Sequence, residues 1–221
     1  AFLRETVNAW PALRSVEGKE MLLHATLPTV DGVKPVQRSG FGPRLIYVVG
    51  GNGNGGSTST AELYDPQDGS WKQLASMLGP RFAHGCAALE GKLYAVGGET
   101  ATSQELDTAE VYDPQTDGWQ PLAKMTTTRV GLGLVAVGGK IYAVGGWDGV
   151  SSLESVEAYD PQLGAWALVA SMSEKRCDHV SVVIDGKIYT IGGIDADSGE
   201  QIDTVEVYDP QADSWQRVAS M

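Results

Sequence analysis

The feature that most constrains this chain is a repeat. Glycine pairs stand at Gly50-Gly51, Gly97-Gly98, Gly145-Gly146 and Gly192-Gly193, at steps of 47, 48 and 47 residues. The tetrapeptide Tyr-Asp-Pro-Gln begins at Tyr64, Tyr112, Tyr159 and Tyr208. Seven residues after each of these tyrosines stands a tryptophan: Trp71, Trp119, Trp166, Trp215. Six residues further on stands a methionine: Met77, Met125, Met172, Met221. A second tyrosine precedes each glycine pair by three: Tyr47, Tyr94, Tyr142, Tyr189. A period of this length means one supersecondary unit copied in series, each copy needing its neighbours to bury its faces.

Each unit reads as four strands. The first is a small apolar run such as Gly85-Cys86-Ala87-Ala88-Leu89. It ends at Glu90-Gly91, Gly138-Gly139 or Asp185-Gly186, pairs that suit a two-residue hairpin where positive φ is needed. The second, Leu93-Tyr94-Ala95-Val96 and its copies, is continuously apolar, as a strand buried on both faces should be. The third, Ala109-Glu110-Val111-Tyr112 and its copies, stops at Asp-Pro, because proline has no amide to donate. The fourth carries the tryptophan. Spacing from tyrosine to tryptophan to the next arginine is fixed at seven and ten, and from arginine to glycine pair at sixteen. Only the stretch from glycine pair to Tyr-Asp-Pro varies, at 14, 15, 14 and 16 residues. A constant scaffold with one variable loop per unit keeps a core while changing a surface. Radial stacking of such four-stranded units makes a β-propeller.

Composition narrows the function. The 28 acidic residues against 16 basic ones give a net charge of −12, and residues 45–221 carry −14 of it. That opposes binding to a nucleic-acid backbone or to an anionic membrane. No apolar run reaches the roughly 18 residues of a membrane-spanning helix. Two cysteines and no glycosylation sequon point to an intracellular, cytoplasmic setting.

The order Gly-Gly, Glu-x-Tyr-Asp-Pro, Trp and Met-x-x-x-Arg resembles the kelch repeat. Residues 129–172, with Gly145-Gly146-Trp147-Asp148-Gly149-Val150, are most similar to the BTB-kelch adaptors. The resemblance implies an all-β kelch propeller of four four-stranded blades, with repeats at about 34–77, 78–125, 126–172 and 173–221. It is a closed ring of four, part of a larger, six-bladed propeller, or a unit whose copies associate edge to edge, and Ala1, an unusual natural start, favours the part. Residues 1–33 read as a non-repeat segment or linker. They hold Leu3, Val7 and Trp10 at helical spacing, interrupted by Pro11, and a second apolar group, Leu22, Leu23 and Leu27, and the segment packs on the first blade as the remnant of a preceding domain or linker, or supplies a latch strand. The first repeat departs from the others, with Lys34 in the arginine register, Arg38 out of it and Gly42-Pro43-Arg44 in place of the hairpin.

In kelch adaptors one end of the propeller binds a protein target, while BTB and BACK domains, not recognisable here, bind a cullin ubiquitin ligase. The resemblance therefore implies a protein or peptide partner, with substrate recruitment to a ligase as its finer form. A structural or cytoskeletal scaffold is the alternative. An enzyme of the copper-oxidase or mutarotase type is disfavoured, because every tyrosine is a scaffold position and only three histidines exist. No cofactor, metal set or catalytic constellation can be assembled.

The candidate partner-binding residues fall into two groups. Arg81, Arg129, Arg176 and Lys34 lie at the entry to each inner strand, where a ring of cations could grip an acidic peptide. Their structural reading is an ion pair with the repeated Glu62, Glu110, Glu157 and Glu206, and it stands slightly ahead. The second group lies on the variable loops: Asn52, Glu99, Trp147, Asp148 and Asp195, of which Trp147 is off register and suited to an interface anchor. The string Gly51-Asn52-Gly53-Asn54-Gly55-Gly56 lacks the following helix of a dinucleotide site and reads as a surface loop. His84 and His179 read as structural, Cys86 as buried, and Cys177 as an ordinary thiol or a reactive one beside Arg176.

Overall fold

The computed structural model describes residues 22–25, 45–53 and 56–221. Among them every regular element is a strand. The first sheet runs β1 (Leu22–Ala25), β2 (Leu45–Val49), β5 (Ala61–Asp65) and β6 (Ser70–Leu74), with the hairpin β3 (Asn52–Gly53) and β4 (Gly56–Ser57) inserted after β2. The second is β7 (Gly85–Leu89), β8 (Lys92–Val96), β9 (Ala109–Asp113) and β10 (Gly118–Pro121). The third is β11 (Gly133–Val137), β12 (Lys140–Val144), β13 (Val156–Asp160) and β14 (Ala165–Val169). The fourth is β15 (Val180–Ile184), β16 (Lys187–Ile191), β19 (Val205–Asp209) and β20 (Ser214–Val218), with the hairpin β17 (Ile194–Asp195) and β18 (Glu200–Gln201) inserted. All four are antiparallel meanders, the blades read from the sequence.

The local chemistry does what the spacing requires. Glu90-Gly91 and Asp185-Gly186 both take positive φ at each residue (49° and 77°, 49° and 76°), the geometry of a two-residue hairpin whose twist matches its strands. Lys92, Lys140 and Lys187, just past these turns, pair with Asp113, Asp160 and Asp209 of the Tyr-Asp-Pro segments. In the first sheet the strand beside β2 is Leu22–Ala25, with Leu22 opposite Val48 and Leu23 opposite Tyr47. It comes from the segment read above as lying outside the repeats. Lys34, Arg38 and Gly42-Pro43-Arg44 lie outside the described residues.

Three cores hold the blades face to face. The joint between the first two blades packs Tyr47, Val49, Ala61, Leu74 and Met77 against Cys86, Leu93, Ala95, Tyr112 and Trp119. The next two joints repeat this set around Tyr94 and Met125, and around Tyr142 and Met172. Each joint pairs a second-strand tyrosine with the third-strand tyrosine of the next blade: Tyr47 with Tyr112, Tyr94 with Tyr159, Tyr142 with Tyr208, at 5.8 to 6.4 Å between centroids. An indole N–H also crosses each joint, from Trp119 to the Ala75 carbonyl, from Trp166 to Ala123 and from Trp215 to Ala170. Aromatic rings supply the area, and these single polar atoms fix the register.

The glycine pairs lie where blades meet near the hub. A Cβ on Gly97 would come 2.5 Å from the Arg129 carbonyl, and one on Gly98 would come 2.5 Å from the Phe82 carbonyl. The Gly98 amide donates to that same Arg129 carbonyl at 2.8 Å. Closer to the hub, the Gly131 amide donates to Ala83 and the Asp178 amide to Gly131, a backbone chain from blade to blade.

Candidate interaction surface

The register arginines are buried, not presented. Arg81, Arg129 and Arg176 are 0–1% exposed. Each guanidinium meets the glutamate of its own blade: Arg81 with Glu110 at 2.6 Å, Arg129 with Glu157 at 3.1 Å, Arg176 with Glu206 at 3.0 Å. Its other hydrogen bonds go to the first glycine of the pair and to Thr108, Ser155 or Thr204, and Arg176 also meets Glu174 at 3.4 Å. The second carboxylate oxygen accepts the backbone N–H of Leu78, Thr126 or Ser173 in the connector from the preceding blade. A buried carboxylate must be both paired and hydrogen-bonded to be tolerated, and both conditions are met. As placed, these arginines bind connector to blade, and the grip on an acidic peptide envisaged for them has no exposed cation behind it.

The loops after the glycine pairs share an end with those connectors. Glu99 bridges back to Phe82, Trp147 to Val130, and Ile194 to Cys177, extending each inner hairpin past its glycines. Asn52 is exposed in the β3–β4 hairpin, and Glu99, Trp147, Asp148 and Asp195 are partly exposed. The Asp148 carboxylate accepts the amides of Val150 and Ser151, and the Asp195 carboxylate accepts that of Asp197, so each aspartate shapes its own loop. Partial burial, and then Glu105, push the Glu99 carboxyl up from its ordinary value.

Neighbouring loops are tied into one platform. Ser57 of the first accepts the Ala101 amide of the second at 2.9 Å. Gly149 of the third lies against the Glu105 carboxylate of the second. Ser152 of the third donates its amide to Asp197 at 3.0 Å and accepts the Ala196 amide at 2.8 Å. The sequence reading missed Glu105, and it placed Val150, Ser152 and Asp197 on the variable loops without singling them out. Nothing in the repeat register marks Glu105, Ser152 or Asp197, because they meet loops some 45 residues away. Val150, 87% exposed, projects from the same loop as Trp147.

The remaining reactive side chains are interior. Burial pushes the Cys86 thiol up to about 12 and raises that of Cys177, the direction opposite to the low-pKa thiol considered for Cys177. His84 and His179 are buried, and neither ring nitrogen of either meets a partner among the described residues. No group of three His, Cys, Asp or Glu able to hold a metal occurs among those residues. Among the described residues no helix is long and apolar enough to cross a membrane.

Comparison with known proteins places this architecture. The model of the KLHDC2/KLHL20/DRC7 Kelch-repeats domain matches residues 40–221. Human Kelch-like protein 25 is 38% identical over 86 residues, covering 38% of this chain and 14% of that protein. Mouse Kelch repeat and BTB domain-containing protein 13 is 34% identical over 101 residues, covering 44% of this chain and 19% of that protein. An F-box/kelch-repeat protein of Arabidopsis thaliana is 45% identical over 56 residues, 25% of this chain and 15% of its own length. The chain thus spans less than a fifth of the curated relatives it matches. The solved structure of YjhT superposes with a TM-score of 0.69 at 20% identity, over 80% of this chain and 62% of that one, a likeness of fold. With the family model spanning all four blades from β2 onward, and each blade built on the same Gly-Gly, Tyr-Asp-Pro and Trp register, the chain belongs to the kelch-repeat family.

Proposed function

We propose that the loop-bearing end of this propeller binds a protein or peptide partner. The observation that carries the reading is the continuity of the loops. Ser57–Ala101 and Ser152–Asp197 hydrogen bonds join the first loop to the second and the third to the fourth, and Gly149 of the third stands close to the Glu105 carboxylate of the second. Trp147 and Val150 supply apolar contact on the third loop, the composition that concentrates binding energy at interfaces. Glu99, Glu105, Asp148, Asp195 and Asp197 stand on the same loops, Asp197 paired with Lys175 at 3.1 Å. The partner that complements these carboxylates is basic with an apolar anchor, the reverse of the acidic peptide that an arginine ring would favour.

The test is binding of the chain to an array of peptides graded in charge. Basic peptides with an aromatic or aliphatic anchor should bind, and affinity should fall as salt rises. Trp147→Ala with Val150→Asp should weaken binding at least about tenfold, the effect of losing one hot-spot anchor. Binding unchanged by that double substitution refutes the assignment. Recruitment for a cullin ubiquitin ligase is the finer form. It is supported by the likeness to the two vertebrate proteins named above, and is tested by whether the chain brings a bound partner to ubiquitination when joined to a BTB-BACK segment.

A further inference from the structure

The single-blade register hides a longer period. Ser57 and Ser152, His84 and His179, and Ala101 and Ala196 each stand 95 residues apart, and Asp117 and Asp213 stand 96 apart. Midway between the members of each pair the register holds a different residue: Glu105, Leu132, Gly149 and Gly164 respectively. The first blade thus matches the third in its loop serine, and the second matches the fourth in its histidine, alanine and aspartate. The joint between the first two blades and the joint between the last two repeat each other. The joint between the second and third blades is of another kind.

The difference is a set of hydrogen bonds. On the Tyr-Asp-Pro side, the Asp117 carboxylate accepts the Ala75 amide of the preceding blade at 2.9 Å, and the Asp213 carboxylate accepts that of Ala170 at 2.8 Å. A tyrosine hydroxyl steadies each carboxylate, Tyr112 at 2.8 Å and Tyr208 at 2.7 Å. At the middle joint Gly164 stands in the aspartate's place, and neither the Ala123 amide nor the Tyr159 hydroxyl meets a partner among the described residues. On the loop side, Ser57 accepts the Ala101 amide at 2.9 Å and Ser152 accepts the Ala196 amide at 2.8 Å. At the middle joint Glu105 takes the serine's place. It faces Gly149, whose amide meets no partner among the described residues.

All three joints keep a common set: a tyrosine pair, an indole bonded to an alanine carbonyl, and a glycine amide bonded to an arginine carbonyl. The last of these runs from Gly51 to Arg81, Gly98 to Arg129 and Gly146 to Arg176, at 2.8–2.9 Å. The middle joint has that set without the bonds on either side of it. Each absent hydrogen bond of ordinary net strength shifts a joint's opening equilibrium about fivefold, and two are absent at one place. We infer that the joint between the second and third blades is a seam, at which the two bonded pairs of blades part before either pair opens within itself. The seam sets the spacing between the second loop, with Glu99, and the third, with Trp147. It stands whether or not those loops bind a partner.

The test is to move the seam and follow it by amide hydrogen exchange in the full chain. In the wild type the Gly98 amide should exchange at least about tenfold faster than its counterparts Gly51 and Gly146. Gly164→Asp supplies the absent carboxylate. A Cβ there meets nothing within 4 Å, and its φ of +66° lies in the region that Asp117 and Asp213 already occupy, at 46° and 45°. The Gly98 amide, and the Gly131 amide that crosses the same joint to Ala83, should then slow about fivefold. Asp117→Gly puts at the first joint the residue found at Gly69 and Gly164, and should quicken the Gly51 amide about fivefold while leaving Gly98 unaltered. Near-ultraviolet dichroism identifies the folded variants. Equal exchange at the three wild-type glycines overturns the inference. So does slowing confined to the Ala123 amide in Gly164→Asp, because the joint then does not open as one. So does a Gly51 amide that keeps its wild-type rate in folded Asp117→Gly.

Discussion

Trp119 donates its indole N–H to the carbonyl of Ala75, 2.8 Å away in the preceding blade. Beside it, Asp117 accepts the Ala75 amide and the Tyr112 hydroxyl, and these two bonds hold its carboxyl below the ordinary range. One alanine is thus gripped at both its backbone groups by the next repeat. Trp119→Phe keeps most of the ring and loses the bond, and should cost about 1 kcal/mol in urea unfolding. Trp119→Ala also opens a cavity and should cost about 3–5 kcal/mol. Equal losses in the two would show that the bond, not the ring, carries the joint.

The buried Arg129–Glu157 pair makes a sharper prediction. Both side chains are fully covered, so removing one leaves the other uncompensated. Arg129→Met and Glu157→Gln should each cost about 3–5 kcal/mol, measured by thermal or chemical unfolding. A loss below 1 kcal/mol in both would mean that the guanidinium is wet in solution, and would restore these arginines as candidates for a partner.

Acid should weaken the joints unevenly. His84 and His179 are lowered from 6.5 to about 3, chiefly by burial and then by Arg81 and Arg176 beside them. The unfolded chain therefore binds protons that the folded one refuses. Their contribution is intact above about pH 6.5 and is lost as pH falls towards 3, with a slope of up to about 1.4 kcal/mol per pH unit for each histidine. In the third repeat Leu132 fills the same place and is buried. His84→Leu and His179→Leu should thus fold normally and flatten the stability profile between pH 6.5 and 4. An unchanged profile would assign the acid sensitivity to carboxylates instead.

Two left-handed glycines separate strain from crowding. Gly97, at φ +67°, would put a Cβ 2.5 Å from a backbone carbonyl, while Gly138, at φ +59°, has nothing within 4 Å. Gly138→Ala should cost about 1–2 kcal/mol, the price of the conformation alone. Gly97→Ala should cost about 1–3 kcal/mol more, because the blades must also part. Equilibrium unfolding of the pair reads the difference directly.

The loop platform can be tested without a ligand. Ser152→Ala removes the acceptor for the Ala196 amide and should speed hydrogen exchange there about tenfold, with global stability falling by about 1 kcal/mol. Exchange unchanged at Ala196 would mean that the third and fourth loops move independently.

The repeat itself fixed most of the fold, because its marks are local. A positive-φ pair such as Glu90-Gly91 turns a hairpin whatever lies around it, and Asp-Pro ends a strand because an amide is missing. The burial of β8 and β12 could be read from their unbroken apolar runs. The arginines were different. Opposite a glutamate in every repeat, Arg81 was compatible with an ion pair or with an exposed ring, and composition weighs both alike. The strand Leu22–Ala25 also escaped the register, since its place beside β2 is a pairing across 19 intervening residues that no spacing records.

The amino-acid order alone determined the unit: four strands, where each turns, and which aromatic residues must face a neighbour. It could do so because period, turn chemistry and hydrophobicity act over a few residues. The tertiary structure decided what the units do to one another. It closed the guanidinia into the interior and tied Ser152 to Asp197 across two blades. These are outcomes of distance and solvent access between segments far apart in the chain, and such quantities exist only once the chain has folded.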